Sequence, residues 1–331
     1  MNGSAVPPPV TQVMDEAEAW LPALMATVET RLGELVEGYG DALGGDSRAT
    51  LRAGGKRLRP MLVLLCAGPG AKRPALRGAA AIELVHMATL VHDDVLDQAP
   101  LRRGLPTVMA TAGRERATAV GDLLLSRAFA ELGEGSGEGG ERQVELLAGA
   151  SVGLALGELA QRRDAWDMTT SAERYLERCR LKTARLFECA CLIGRVSGGD
   201  DPAAEALRSF GQEIGLAFQL LDDVLDVAGP PERTGKARGT DLLDGTVTLP
   251  LILAREHDPG LAELDLRSLD AAGAEEACDR IAATGALDEV RRDARGRVDQ
   301  AKRTVAACDA LSEAQRRLLA LVADGVVERY A

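Results

Sequence analysis

The sequence predicts an all-α protein folded as one unit, and three observations carry that reading. Apolar residues recur at three- and four-residue steps through most of the 331 residues, as helices with one buried face require. The apolar content comes largely from Ala, Leu and Val, while aromatics reach only 3% and β-branched runs are short. No Gly/Ser- or Pro-rich linker interrupts the middle of the chain, so a single domain over residues 12–331 is expected.

Residues 1–11, with Pro7, Pro8 and Pro9, read as a disordered tail. Leu21, Leu24, Val28, Leu32 and Leu35 then form one helical stripe. Similar patterns cover 57–67, 76–97, 115–132, 142–163, 171–196, 202–228, 247–256 and 285–329. Pro69 to Pro74 separates two helices, and Gln98 to Thr107 carries Pro100, Gly104 and Pro106. The glycine-rich stretch 133–141 reads as a surface loop, and Gly229 to Gly239 as a longer polar one. No segment reads persuasively as a strand.

A formal charge of −12 argues against a nucleic-acid partner. Cysteines at 66, 179, 189, 191, 278 and 308 form no CxxC pair and no Cys/His metal spacing, so they read as reduced, buried thiols. The start MNGSAVPPPV lacks the basic and apolar regions of a signal peptide. No apolar run reads as a transmembrane segment. A cytoplasmic protein is expected.

One pentapeptide occurs twice, DDVLD at 93–97 and at 222–226, each within a strongly helical stretch. Residues four apart on a helix share a face, so Asp93 and Asp97 can converge on a cation, and Asp222 and Asp226 repeat the geometry. Gln219, Asp222, Asp223 and Asp226 make one polar stripe on an otherwise apolar helix. Facing inward, that stripe is costly without cations. Mg²⁺ suits it, since it uses few carboxylates and completes its shell with water and phosphate oxygens.

Basic segments accompany the aspartates. Gly54-Gly55-Lys56-Arg57-Leu58-Arg59-Pro60 joins flexible glycines to three cations, a combination that can approach and neutralise a phosphate. Arg102 and Arg103 follow the first cluster by five residues. Lys182 and Thr183 lie on a helix, and Lys236 lies in the loop after the second cluster. His86 sits seven residues before Asp93, two turns down one face, and reads as a phosphate contact; His92 reads as a core histidine.

The succession GGKRLRP (54–60), ELVHMATLVHDDVLDQAPLRRG (83–104), GDLLLSRAF (121–129), KTARLF (182–187), GLAFQLLDDVLD (215–226) and GKARGTDLLDG (235–245) resembles the trans-prenyl diphosphate synthase family. The resemblance implies an antiparallel helical bundle of the isoprenoid synthase type with a deep central cavity, usually a homodimer. It implies three Mg²⁺ ions, with Asp93 and Asp97 binding two and Asp222 a third, supported through water by Asp223 and Asp226. Lys56, Arg59, His86 and Arg103 would hold isopentenyl diphosphate. Arg102, Lys182, Thr183, Gln219 and Lys236 would hold the allylic diphosphate. Thr246 departs from the family pattern, standing where many members have a phosphate-facing lysine.

Ala88 and Thr89 are small just below Asp93, where short-chain members commonly place an aromatic, so a long product of hexaprenyl to nonaprenyl length is expected. Geranylgeranyl diphosphate is the alternative. The tail would descend past Val85, Ala81 and Gly78, with Phe129 as the candidate floor. A class I terpene cyclase would need no second diphosphate site and would usually show more aromatics. A non-catalytic partner subunit commonly loses an aspartate cluster, and both are intact here.

Overall fold

The computed structural model describes residues 8–37, 40–52, 55, 57–135, 138–196, 201–229 and 238–328. Lys56 and Lys236 lie outside them, as do residues 1–7 of the expected tail. The first helix begins earlier than the sequence suggested: α1 spans Pro8–Glu16. Proline is tolerated there because the first helical N–H groups have no intrahelical acceptor. Val13 on α1 is fully buried, which ties the segment to the body of the protein.

The chain continues through α2 (Leu21–Glu37), α3 (Gly40–Arg52), α4 (Leu58–Ala67) and α5 (Arg73–Leu96). Then come α6 (Val108–Ala112), α7 (Arg114–Gly133), α8 (Glu138–Asp164) and α9 (Ala172–Cys179). A π-turn over Arg180–Ala184 leads into α10 (Arg185–Ile193), followed by α11 (Ala204–Ala228) and the short α12 (Thr240–Leu243). The last part holds α13 (Leu249–His257), α14 (Pro259–Ala262), α15 (Ala271–Ala283), α16 (Ala286–Ala306) and α17 (Glu313–Glu328). Helices α3, α6 and α15 had no clear stripe in the sequence, and the expected helix over 285–329 divides at 307–312.

Long helices make the core: α5 packs on α7, α11 on α16, and α10 between α4, α8 and α11. Their contact faces carry Ala, Leu, Val and Ile, many below 2% exposure. By length and composition, α8 over Gly139–Asp164 could cross a membrane, contrary to the sequence expectation. In this fold it is a bundle helix against α7, α10 and the π-turn, rich in Ala and Gly because its neighbours come close.

The segment after α5 differs from the expected plain loop. Leu101–Arg102 pairs antiparallel with Leu105–Pro106, with Arg103 (φ 55°) and Gly104 (φ 77°) at the tip. Positive φ at both central residues gives the hairpin turn whose twist suits paired strands. Thr107 closes the segment, its hydroxyl donating to Ala99 O (2.6 Å) and accepting from Ala110 N (3.0 Å). Arg102 and Arg103 are thereby held on a short, fixed arm beside the end of α5.

Candidate active site

The first aspartate cluster ends α5. Asp93 is half-buried, and burial raises its carboxyl above the usual range while Lys182 opposes the shift. Lys182 is itself held above its ordinary value: burial works against the charge, but Asp93 and Glu158 outweigh it. Lys182 Nζ lies 2.5 Å from Glu158 Oε2. Arg162 Nε donates to Glu158 Oε1 (2.8 Å), and its Nη2 donates to Asp97 Oδ1 (2.6 Å). Asp94 is buried at 5% exposure, and Arg102 Nε donates to its Oδ1 at 2.8 Å. Three cations thus meet the DDVLD end of α5.

The π-turn explains how Lys182 and Thr183 reach the site. A π-turn carries one extra residue per turn and is often found at functional positions. Neighbouring helices crowd it from both sides. A Cβ on Gly157 of α8 would come within 2.6 Å of Lys182 N, and one on Gly215 of α11 within 2.6 Å of Ala184 Cα. Only glycine allows those backbones so near.

On α11, Asp222 is exposed and Asp226 half-buried, but Asp223 departs from its expected water-mediated support of a metal. Its carboxylate is buried and accepts from Tyr175 Oη (2.6 Å) and Gln219 Nε2 (2.7 Å). Burial pushes Asp223 up to about 7 against the pull of those bonds. Thr183 Oγ1 donates to Gln219 Oε1 at 2.7 Å, so the chain Thr183–Gln219–Asp223–Tyr175 has a fixed direction. A flipped Gln219 amide would set its oxygen against the Asp223 carboxylate and lose that bond.

A second basic group surrounds His86. A cavity of about 510 Å³ is lined by His86, Arg57, Arg102, Arg103, Asp94 and Thr107, among others. Burial and then the charges of Arg59, Arg103, Arg102 and Arg57 lower His86 well below its usual range, which keeps the imidazole neutral. Arg103 lies against Gly55, where an added Cβ would meet its Nη1 at 3.1 Å. The glycine-rich basic segment and the hairpin arm therefore meet. Arg57 braces α2 and α5 through Glu29 (3.0 Å) and Glu83 (2.7 Å). Arg59 stacks 4.4 Å above the Phe187 ring, on α10.

Below Asp93, Ala88 is fully packed and the Thr89 hydroxyl donates to His86 O at 2.8 Å. Phe129 is half-buried on α7, packed against the core. Gly78 does not leave space for a tail: a Cβ there would lie 2.3 Å from Ile193 Cγ2. Gln143 holds the same level, donating to Pro74 O and Ile193 O at 3.2 Å each.

Three residues of this site escaped the sequence reading. Glu158 had a signal, a lone acid between Leu154, Leu156 and Leu159 on an apolar helix. Arg162 and Tyr175 had none, because their roles depend on which helices meet.

Among the described residues no three His, Cys, Asp or Glu side chains form a closed metal cage. That fits Mg²⁺, which takes one or two carboxylates and leaves positions for water and phosphate oxygens. The donors are all carboxylates, and the raised carboxyl of half-buried Asp93 is one that a bound cation would lower.

The polyprenyl synthetase family profile matches residues 43–281. The chain is 40% identical to the heptaprenyl diphosphate synthase component 2 of Geobacillus stearothermophilus, over 70% of this chain and 72% of that protein. It is 35% identical to the geranylgeranyl diphosphate synthase of Methanosarcina mazei, over 86% and 88%. Among solved structures, a polyprenyl synthase from Caulobacter crescentus CB15, complexed with calcium and isoprenyl diphosphate, superposes with a TM-score of 0.89. That alignment is 35% identical and covers 99% of this chain and 100% of that one. With its helical bundle, paired DDVLD segments and two basic groups, the chain belongs to the polyprenyl synthetase family of trans-prenyltransferases.

Proposed function

We propose that the protein condenses isopentenyl diphosphate with an allylic diphosphate, with Mg²⁺ held by Asp93, Asp97, Asp222 and Asp226, to give an all-trans polyprenyl diphosphate. The supporting observation is that two cationic groups flank one aspartate cluster: Lys182 and Arg162 with Glu158 on one side, Arg57 and Arg103 with His86 on the other, and Arg102 between them. Two anionic headgroups can then be held apart while their carbon chains meet.

When bound, Mg²⁺ supplies positive charge that stabilises departing diphosphate. Lys182 and Arg102 add to that charge from fixed positions, so their effect grows as the carbon–oxygen bond breaks. Thr183 directs its hydroxyl proton to Gln219 and therefore presents only lone pairs to the cavity. In that orientation it can stabilise the allylic cation. Neutral His86 and the cations around it hold the second headgroup. The released diphosphate takes the proton lost in elimination, so no dedicated protein base is needed.

The product we favour is long, hexaprenyl to nonaprenyl, because Ala88 and Thr89 place no bulk below Asp93. A second reading has one observation behind it. The path down α5 is blocked at Gly78 by Ile193 and Gln143, and nearby the buried Glu131 pairs with Arg31 at 2.8 Å. From Asp93 to Gly78 is about 22 Å at 1.5 Å per residue, room for about four or five isoprene units. A longer tail must turn aside there.

A homodimer is part of the proposal. Val152 (60% exposed), Leu156 (52%) and Leu159 (66%) form one apolar stripe on α8 that a second copy can cover. Free cysteines, five of them buried, suit a reducing, cytoplasmic setting.

The test is incubation of the purified chain with Mg²⁺, an allylic diphosphate and labelled isopentenyl diphosphate, followed by product sizing. We expect products of six to nine units, loss of activity on chelation, shorter products from Ala88→Phe and longer ones from Phe129→Ala. Wild-type products of four or five units that lengthen in Ile193→Ala would establish the second reading. No elongation at all would point to a non-catalytic subunit.

A further inference from the structure

Arg162 is the best candidate for a function beyond those roles. It lies in the last turn of α8, two residues before the helix ends at Asp164. Nothing about its local sequence, GELAQRRD, distinguishes it from Arg163 beside it. The fold separates the two: Arg162 turns toward the aspartate cluster and donates to both Asp97 and Glu158, at 2.6 and 2.8 Å.

Glu158 is the shared partner that fixes the geometry. One of its oxygens holds Lys182 and the other holds Arg162, so the ammonium and the guanidinium flank a single carboxylate. The guanidinium also has one end against Asp97, whose side chain is 37% exposed. Arg162 is itself 42% exposed, so it faces the open mouth rather than the packed interior. A guanidinium with a planar fork of donors at such a mouth matches phosphate oxygens better than an ammonium does.

The neighbouring wall makes the placement more telling. Trp166, one turn beyond Arg162, donates its backbone N–H to Gly245 O at 2.7 Å. The end of α8 is thereby fastened to the 245–246 turn, whose Thr246 contributes no charge.

A metal held by Asp97 would compete with Arg162 for the charge of that carboxylate. Both Glu158 oxygens are already engaged, by Lys182 and by Arg162 Nε, so the other donors of the guanidinium would need a further acceptor. A diphosphate resting between Lys182 and the aspartates offers oxygens to its free edge.

We propose that Arg162 is a further diphosphate-binding residue: it covers Asp97 when the site is empty and transfers to the allylic diphosphate when Asp97 turns to metal. The proposal rests on the prenyltransferase reading above. It predicts a residue that competes mildly with metal alone and cooperates with metal plus diphosphate.

The experiment compares wild type, Arg162→Leu and Arg162→Lys by calorimetry, using Mg²⁺ alone and then inorganic diphosphate at saturating Mg²⁺. Circular dichroism and melting confirm that each variant is folded. For Arg162→Leu we expect diphosphate binding weakened on the order of 10-fold, the loss of one charge-assisted contact. Binding of Mg²⁺ alone should be unchanged or tighter. Arg162→Lys should recover part of the affinity, and the KM for isopentenyl diphosphate should move less than about 2-fold in both variants, since the second headgroup sits on the other side of α5. Tighter Mg²⁺ binding with unchanged diphosphate affinity would overturn the proposal, leaving Arg162 as a counterion of Asp97 only. Equal loss for both diphosphate substrates would also overturn it. A wild type that binds no diphosphate with Mg²⁺ would instead remove the prenyltransferase reading, and this proposal with it.

Discussion

The two DDVLD segments share five residues and differ in what surrounds them. In each, the second aspartate is buried and orients a side chain that faces the cavity: Asp94 holds Arg102, and Asp223 holds Gln219. The first segment ends among cations, Arg102, Arg162 and Lys182. The second meets neutral donors at Asp223, the Tyr175 hydroxyl and the Gln219 amide. Burial pushes Asp223 toward its protonated form, and its neutral donors pull back without supplying a countercharge. The pentapeptide sets where oxygens point, and the neighbouring helices set how much charge each cluster can carry. On the proposed reading, the cations beside the first segment make it the seat for diphosphate.

The largest effect should come from removing an outer aspartate. Asp93→Ala or Asp222→Ala should each lower turnover by about 10²-fold or more with unchanged helical circular dichroism, because the loss falls on transition-state stabilisation. Near-normal turnover at saturating Mg²⁺ in either variant would break the pairing of the two segments.

A smaller effect separates the two headgroup sites around the first arm. Arg59→Ala should raise the KM for isopentenyl diphosphate on the order of 10-fold, against less than about 2-fold for the allylic partner. Equal shifts in steady-state kinetics would show that α5 does not divide the sites. The smallest effect contrasts the buried aspartates. Asp94→Asn frees Arg102 and should appear chiefly as weaker allylic binding. Tyr175→Phe leaves a buried carboxylate short of one donor and should appear as about 1–3 kcal/mol of lost stability in denaturant melts, with KM values nearly unchanged. A Tyr175→Phe variant as stable as wild type would mean that the Asp223 network is not under tension.

Much of this was readable before the fold. Periodicity located α2, α5, α7, α8 and α11 to within a few residues, because each buries a long apolar face. The aspartates, Lys182, His86 and the arginine pair were readable because unusual charge on apolar helices needs a reason. Helices α3 and α6 were not, since Gly40–Arg52 is mostly polar and Val108–Ala112 is too short to show a period. The hairpin carrying Arg103 was hidden because its two-residue strands have no alternation to read. Asp223 shares a stripe with Asp222 and Asp226, but its pairing with Tyr175 on another helix could not be read from the spacing. Arg162 needed the fold for the same reason.

The π-turn at Arg180–Ala184 has one further consequence, for what this stretch of chain can tolerate. It is a phase shift inserted into an otherwise continuous helical screw between Ala172 and Ile193. Deleting any one of its residues would let the screw run on as a plain α-helix. Everything beyond would then rotate by about 100°, the angle of one residue in 3.6 per turn. Either Lys182 and Thr183 would lose Glu158 and Gln219, or Phe187, Ala190 and Ile193 would leave the core in which they are fully buried. Substitutions at exposed points of the screw can be absorbed one at a time, but its length cannot change by a single residue.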